Sequence, residues 1–193
     1  MTPGAPETRK VSATPVIGQT PVIGPSPVIG LTGRPGSGKT TLMLALVAEL
    51  TARGLAVSTV MTAANAAEID QPGKDSHRHR AAGAAEVMVT GARRWALIHG
   101  GGGASPGGAA LAPMSPVDVV LAEGAGDHPG IEVYRAAGAG GPPVCHDDPR
   151  IVAVASDSAL EGVGVALLDL GDTPAIADFI IAHFGLTLDQ RTS

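Results

Sequence analysis

The segment that most limits how this chain can fold is Gly33-Arg-Pro-Gly-Ser-Gly38-Lys39-Thr40. It follows a short apolar run, Val28–Thr32, and precedes residues 39–53, whose apolar positions 42, 43, 46, 47 and 50 form a helical stripe. Gly54 stands where a helix C-cap belongs, and residues 55–61 read as a second buried strand. Strand, glycine-rich loop, helix and strand make a βαβ unit. The Gly-x-x-x-x-Gly-Lys-Thr spacing is the Walker A pattern in the context that gives it meaning. Gly33, Gly36 and Gly38, with Ser37 between the last two, let successive backbone N–H groups curl around phosphate oxygens, and the helix N-terminus adds its dipole. Lys39 reaches the β- and γ-phosphates, and the Thr40 hydroxyl is a ligand for Mg²⁺.

Lysine usage points the same way. The chain has ten arginines but only three lysines, Lys10, Lys39 and Lys74. A lysine retained at a phosphate-binding position in an arginine-preferring chain marks a place where a compact ammonium matters. Lys74 carries the same suspicion more weakly.

Beyond the βαβ unit, Glu86–Thr90 and residues 95–99 read as a hairpin. Residues 117–122, 131–135, 163–170 and Ile151–Ser156 are further strands, and Thr173–Phe184 is an amphipathic helix. The expected class is α/β: a P-loop NTPase fold with a mostly parallel sheet flanked by helices and an inserted β-hairpin. Residues 1–25 repeat Thr/Ser-Pro-Val-Ile-Gly from Thr14 and Thr20, with a third copy at Ser26 that enters the first strand. Proline every six residues cannot sustain a central strand, so 1–25 is expected to be a disordered tail and 26–193 the nucleotide-binding domain. In the other reading an early copy competes for the same strand slot. The Gly-rich residues 100–116 are expected to be a flexible loop.

A P-loop needs a second acidic group for Mg²⁺, at the C-terminal end of a neighbouring parallel strand. Asp118 and Glu123 bracket one strand; Glu123, at its exit, is the choice, and Asp75 is another candidate.

These segments together resemble the molybdopterin-guanine dinucleotide biosynthesis protein B (MobB) family. The resemblance rests on the P-loop at 33–41, on Glu68-Ile-Asp-Gln-Pro-Gly-Lys-Asp-Ser-His-Arg-His-Arg80 with the Ala-Ala-Gly-Ala that follows, and on Arg94-Trp-Ala-Leu-Ile98. Asp118-Val-Val-Leu-Ala-Glu-Gly124, Ile131-Glu-Val-Tyr-Arg135 and Ile151-Val-Ala-Val-Ala-Ser-Asp157 complete it. It implies a Mg²⁺-dependent GTP-binding protein with slow GTP hydrolysis at most, often a homodimer. Such a protein assists the guanylyltransferase that joins GMP to molybdopterin. The family's Walker A residues carry over onto Gly33, Gly36, Gly38, Lys39, Thr40 and Thr41, its exit-strand glutamate onto Glu123, and its Lys-Asp-Ser segment onto Lys74, Asp75 and Ser76. The chain departs from the family at Ala63-Ala64-Asn65, where two histidines are common, at Ala125-Gly126, often Phe-Lys, and at 100–116, usually helical.

GTP binding must here do without an Asn-Lys-x-Asp motif. Asp157, at a strand exit, could accept the paired N1–H and N2–H donors of guanine; it could equally cap a helix or sit in a turn. Residues 74–94 hold five basic side chains against Asp75 and Glu86, and His77 and His79 lie among them on what reads as a solvated face. The segment is a candidate docking face for a pterin phosphate or a partner. Cys145-His146-Asp147-Asp148 resembles a metal-ligand run but lacks a second ligand pair.

Composition removes other classes. A net charge of −5 argues against nucleic acid and anionic membranes, and a lone cysteine excludes an internal disulfide. The uncharged stretches 11–33 and 95–117 are broken by Pro and Gly, so neither spans a membrane, and no signal peptide is read; the expected location is the cytoplasm. Four aromatic residues, Trp95, Tyr134, Phe179 and Phe184, leave a core of Ala, Val, Leu and Ile. Two other functions compete. A small-molecule kinase would want an arginine-rich lid, whereas 100–116 is uncharged, and a metal-insertion GTPase would want a Cys/His cluster. No arginine other than Arg34 is expected near the P-loop.

Overall fold

Alternation along the strands sorts the aliphatic residues onto two faces of one sheet. The computed structural model describes residues 16–17, 26–62, 75–90, 94–99, 114–124, 127–137 and 141–188. In chain order the elements are β1 (Val16–Ile17), β2 (Val28–Thr32), α1 (Lys39–Ala52), β3 (Val57–Thr62), α2 (Asp75–Ala81), β4 (Glu86–Thr90) and β5 (Arg94–His99). There follow β6 (Val119–Glu123), β7 (Gly130–Tyr134), a 3-10 turn (Val144–His146), β8 (Ile151–Ser156), β9 (Ala166–Asp169) and α3 (Thr173–Phe184). The strands pair in the order β1-β5-β4-β3-β6-β2-β7-β8-β9. From β4 across to β9 they run parallel, while β5 lies antiparallel beside β4, which is the expected hairpin.

Ile29 and Leu31 of β2, Val119 and Leu121 of β6, and Ile131 and Val133 of β7 share one buried cluster with the helices. Into it α1 inserts Leu42, Met43, Leu46, Val47 and Leu50, and α3 inserts Ile176, Ala177 and Ile180. A fully buried Leu such as Leu46 or Leu50 contributes about 1.5–3 kcal/mol. The alternate strand residues Val28, Val120 and Ala122 form a separate, smaller cluster on the other face. Arg53 fastens the end of α1 to the start of α3. Its Nε donates to Glu49 Oε1 at 2.8 Å, Nη2 to the Pro174 carbonyl at 3.1 Å, and Nη1 to Asp178.

The structure departs from the sequence reading in several places. Val16–Ile17, within the expected tail, pairs antiparallel with Trp95 and Arg94 at the sheet margin. A two-residue edge strand asks little of the ladder, so the flanking prolines do not forbid it. Residues 1–15 and 18–25 lie outside the described residues. The expected loop 100–116 ends earlier: Met114 is buried, and Ser115 N–H donates to the buried Glu86 at 2.9 Å, while 100–113 lie outside the described residues. The last strand, read as 163–170, is shorter, since β9 is held only by Ala153–Ser156 of β8. The helix α2 was not foreseen. It buries Ser76 and His79 rather than an aliphatic stripe, so the expected solvated face holds for His77 and Arg78 but not for His79.

His79 Nδ1 lies 3.0 Å from Thr59 Oγ1 of β3, and its Nε2 has no partner among the described residues. Burial lowers its pKa below 6.5; Asp75 opposes this and Arg78 adds to it. The folded protein therefore holds the imidazole neutral where the unfolded chain would begin to protonate it. Its contribution to stability is complete above about pH 6.5 and is lost as pH falls through the folded-state value. NMR titration should find this imidazole still neutral as pH falls below about 6.5, and His79→Gln should flatten the decline of melting temperature there.

Gly33, at the exit of β2, has φ +136°, and a Cβ there would stand 2.4 Å from the Val133 carbonyl oxygen of β7. Gly36, with φ +79°, has nothing within 4 Å of such a Cβ. Gly33→Ala should therefore cost roughly 1–3 kcal/mol or more through clash and strain. Gly36→Ala should cost only the backbone term, about 1–2 kcal/mol, in urea unfolding.

Candidate functional site

β2 lies between β6 and β7, and from it the chain builds β3 to one side and β8 and β9 to the other. In open α/β sheets ligands bind at such a divergence, at the carboxyl ends of the strands. The loop at 33–38 occupies that place. Gly38 caps α1 in a left-handed conformation (φ +100°), α1 has no side-chain cap, and its first turn has no acidic residue. The N–H groups of that turn are therefore left by the protein's own side chains for an anion. Ser37 is buried; its N–H donates to the Arg34 carbonyl at 3.2 Å, and its Oγ has no partner among the described residues. Lys39 Nζ folds back onto the loop, donating to the Gly33 carbonyl at 2.9 Å and the Arg34 carbonyl at 3.0 Å. Thr40 is half-buried and Thr41 exposed in the first helical turn.

The carboxylate expected beside this loop stands next to it in the sheet. Glu123 ends β6 opposite Leu31, and Gly124 N–H donates to the Leu31 carbonyl at 2.8 Å. By alternation Glu123 shares the face of Val119 and Leu121, the side on which α1 packs. Asp118, at the other end, accepts from Ala56 N–H at 2.7 Å and ties strand starts together. The loop, the first turn of α1 and Glu123 thus supply an anion cradle with a hydroxyl and a carboxylate beside it. That donor set fits a Mg²⁺-bound polyphosphate, with Thr40 and Glu123 as the groups that would hold the metal.

On the other side of β2 the structure adds a residue the sequence reading missed. Arg135 follows β7; its Nε donates to the Ser37 carbonyl at 3.0 Å and its Nη1 to Asp157 Oδ2 at 3.3 Å. The expectation that only Arg34 lies near the P-loop is therefore corrected. Asp157, at the exit of β8, also accepts from Ala136 N–H at 3.1 Å through Oδ1. Both carboxylate oxygens already serve the chain, which is the turn role left open beside guanine recognition.

A cleft of about 190 Å³ opens between the P-loop and the end of β7, lined by Arg34, Ser37, Glu132, Tyr134 and Arg135 among others. Its floor is fixed by Glu132, a buried carboxylate that accepts from Val144 N–H at 2.8 Å and Cys145 N–H at 3.0 Å. Burial, and then the Glu132 charge, push the Cys145 thiol up, so it is a poor nucleophile and a poor metal ligand. Asp148 is engaged by Arg150, and no group of three metal-ligating side chains occurs among the described residues. A second cleft, about 350 Å³, lies at the exits of β8 and β9 between Asp157, Ser158 and Asp169. Of the candidate pair after β3, Lys74 lies outside the described residues. Asp75 opens α2 and pairs with Arg78 at 3.2 Å.

The sequence profile described as MobB, "Molybdopterin guanine dinucleotide synthesis protein B", matches residues 28–157, from β2 through Asp157. A molybdopterin-guanine dinucleotide biosynthesis adapter protein of Escherichia coli is 34% identical over 156 residues, 76% of this chain and 86% of that protein. The protein of the same name from Haemophilus influenzae is 34% identical over 163 residues, 80% of this chain and 89% of that protein. Among solved structures, a MobB homolog from Bacillus stearothermophilus aligns with TM-score 0.48 and 23% identity, covering 82% of this chain and 97% of its own. Bacillus subtilis MobB aligns at 0.45 and 18%, covering 83% and 98%. The profile match spans the P-loop, both flanking strands and the Glu123 and Asp157 exits, and this chain belongs to the MobB family.

Proposed function

We propose that the chain is a Mg·GTP-binding adapter for molybdopterin guanine dinucleotide synthesis, presenting nucleotide to a molybdopterin guanylyltransferase without catalysing the transfer itself. One observation carries the nucleotide part: a P-loop whose helix has neither a side-chain cap nor a first-turn acid, with Lys39 resting on carbonyls at its rim. A phosphate arriving there offers the ammonium a charged partner in place of two neutral ones. Gly33, Gly36, Ser37, Gly38, Lys39, Thr40 and Thr41 would hold the phosphates, and Thr40 and Glu123 the metal. Support for the adapter role comes from the E. coli and H. influenzae relatives, which carry that description.

The transfer itself is assigned to the partner because the relatives' own description is that of an adapter protein. Charge neutralisation and positioning alone give slow turnover, so bound nucleotide persists long enough to be handed on. The exposed His77 and Arg78 on α2 belong to the basic segment proposed as the docking face. We place the protein in the cytoplasm as a homodimer; no described helix is long and apolar enough to cross a membrane.

Calorimetry should show Mg·GTP binding that Lys39→Ala weakens by about tenfold or more, with the melting temperature retained. Equal affinity in both proteins would refute the site. In a reconstitution with guanylyltransferase, molybdopterin cofactor and limiting GTP, this protein should accelerate dinucleotide formation, and Arg78→Glu should reduce the acceleration. Absence of stimulation, with rapid phosphoryl transfer to a small acceptor by this protein alone, would favour a kinase instead.

A further inference from the structure

Two side chains from neighbouring parallel strands, Arg135 after β7 and Asp157 after β8, converge beside the P-loop on the side away from Glu123. Arg135 leaves β7 and lies across the loop. A Cβ placed on Gly38 would stand 3.5 Å from both its Nε and its Nη2, so the guanidinium covers the N-cap of α1 at van der Waals distance. Nε is spent on the Ser37 carbonyl and one Nη1 hydrogen on Asp157. A guanidinium has five N–H donors. The second Nη1 hydrogen and both Nη2 hydrogens have no partner among the described residues. The side chain is 46% exposed and lines the cleft beside the loop, so a ligand can reach those donors. Asp157, 34% exposed, is itself held by the Ala136 N–H and so fixes the fork from behind.

From this geometry we propose that Arg135 is a phosphate-binding residue of the nucleotide site, and that Asp157 acts as its positioning residue rather than as the reader of the base. The inference rests on the P-loop binding a nucleotide. The planar fork suits it, because a guanidinium can give two parallel N–H bonds to one phosphate while keeping its bond to the loop. Asp157 offsets part of the arginine's charge before a ligand arrives and, by holding Nη1, leaves its remaining donors free to face the cleft. A phosphate then meets an arginine already oriented, with little side-chain entropy left to lose.

The proposal also explains why the carboxylate is bonded on both oxygens. A guanine acceptor needs oxygens turned to the ligand, whereas an anchor needs them turned to the protein.

The test is calorimetry of the full chain with GTP, GDP, GMP and ATP in the presence of Mg²⁺, for Arg135→Ala, Arg135→Gln, Asp157→Asn and Lys39→Ala. Arg135→Gln can still donate to the Ser37 carbonyl, which keeps the loop braced if alanine disturbs it. Loss of GTP affinity of about tenfold or more in both Arg135 variants is expected, shrinking from GTP to GDP to GMP, at unchanged melting temperature in Arg135→Gln. Asp157→Asn should lose affinity in the same phosphate-dependent order, but less, and leave the GTP-over-ATP ratio intact. Equal losses for all nucleotides, matched by a fall in melting temperature, would make Arg135 a structural brace and overturn the proposal. A changed GTP-over-ATP ratio in Asp157→Asn would return that residue to base recognition and overturn its positioning role. Loss of binding in Lys39→Ala with none in the Arg135 variants would refute this arginine while leaving the phosphate site standing; no loss in any of them would refute both.

Discussion

The carbonyl of Val133 lies where a side chain at position 33 would begin. Because residue 33 is glycine, the end of β2 closes against β7 at a distance no other residue allows. Much of the site follows from that contact. It sets the height at which the loop turns into α1, and it puts the residue two beyond Val133, which is Arg135, level with Ser37. On the opposite side the Leu31–Glu123 register fixes a carboxylate at the same level. The P-loop is thus bounded by a cation from one neighbouring strand and an anion from the other, both placed by backbone pairing rather than by flexible loops.

Local patterns were legible in the sequence and adjacency was not. The bounds of β2, β4, β8 and α3 coincide with their apolar runs, because each is buried by its own periodicity. The P-loop could be read from spacing alone, and Glu123 from the rule that ligands meet strand exits. Arg135 could not be read this way. Its importance depends on β7 lying beside β2, and the two are separated in the chain by four other strands. An arginine just past a strand end is unremarkable until its neighbours are known. The helix α2 escaped for another reason: its buried face consists of Ser76 and His79, residue types that normally signal solvent. Asp157 was found by position, with guanine recognition and a turn role both left open, because sequence cannot show that its oxygens accept from Arg135 and Ala136.

Polar side chains fix the periphery of the sheet in a recurring way. Glu132, Glu86 and Asp118 each accept backbone N–H groups from a segment that is not their sequence neighbour. Removal of any of these carboxylates would leave the backbone donors it holds unpaired. In a chain with few aromatic residues to wedge loops against the sheet, such bonds hold the connecting segments that large rings might otherwise pack.

The clamp between Arg53 and the start of α3 joins residues 125 positions apart. The apolar flank of α1 is covered by the last helix of the chain, and β2 finds its neighbours only after β6 and β7 have been made. During synthesis the P-loop segment therefore leaves the ribosome long before β6, β7 and α3, which pack around it. Its helix carries exposed Leu and Val until α3 arrives, a state in which chaperone capture and aggregation compete with folding. A nascent chain of this kind completes the surroundings of its P-loop late and all at once. Premature termination before residue 173 would yield a product that retains the entire phosphate motif yet lacks the helix that covers it.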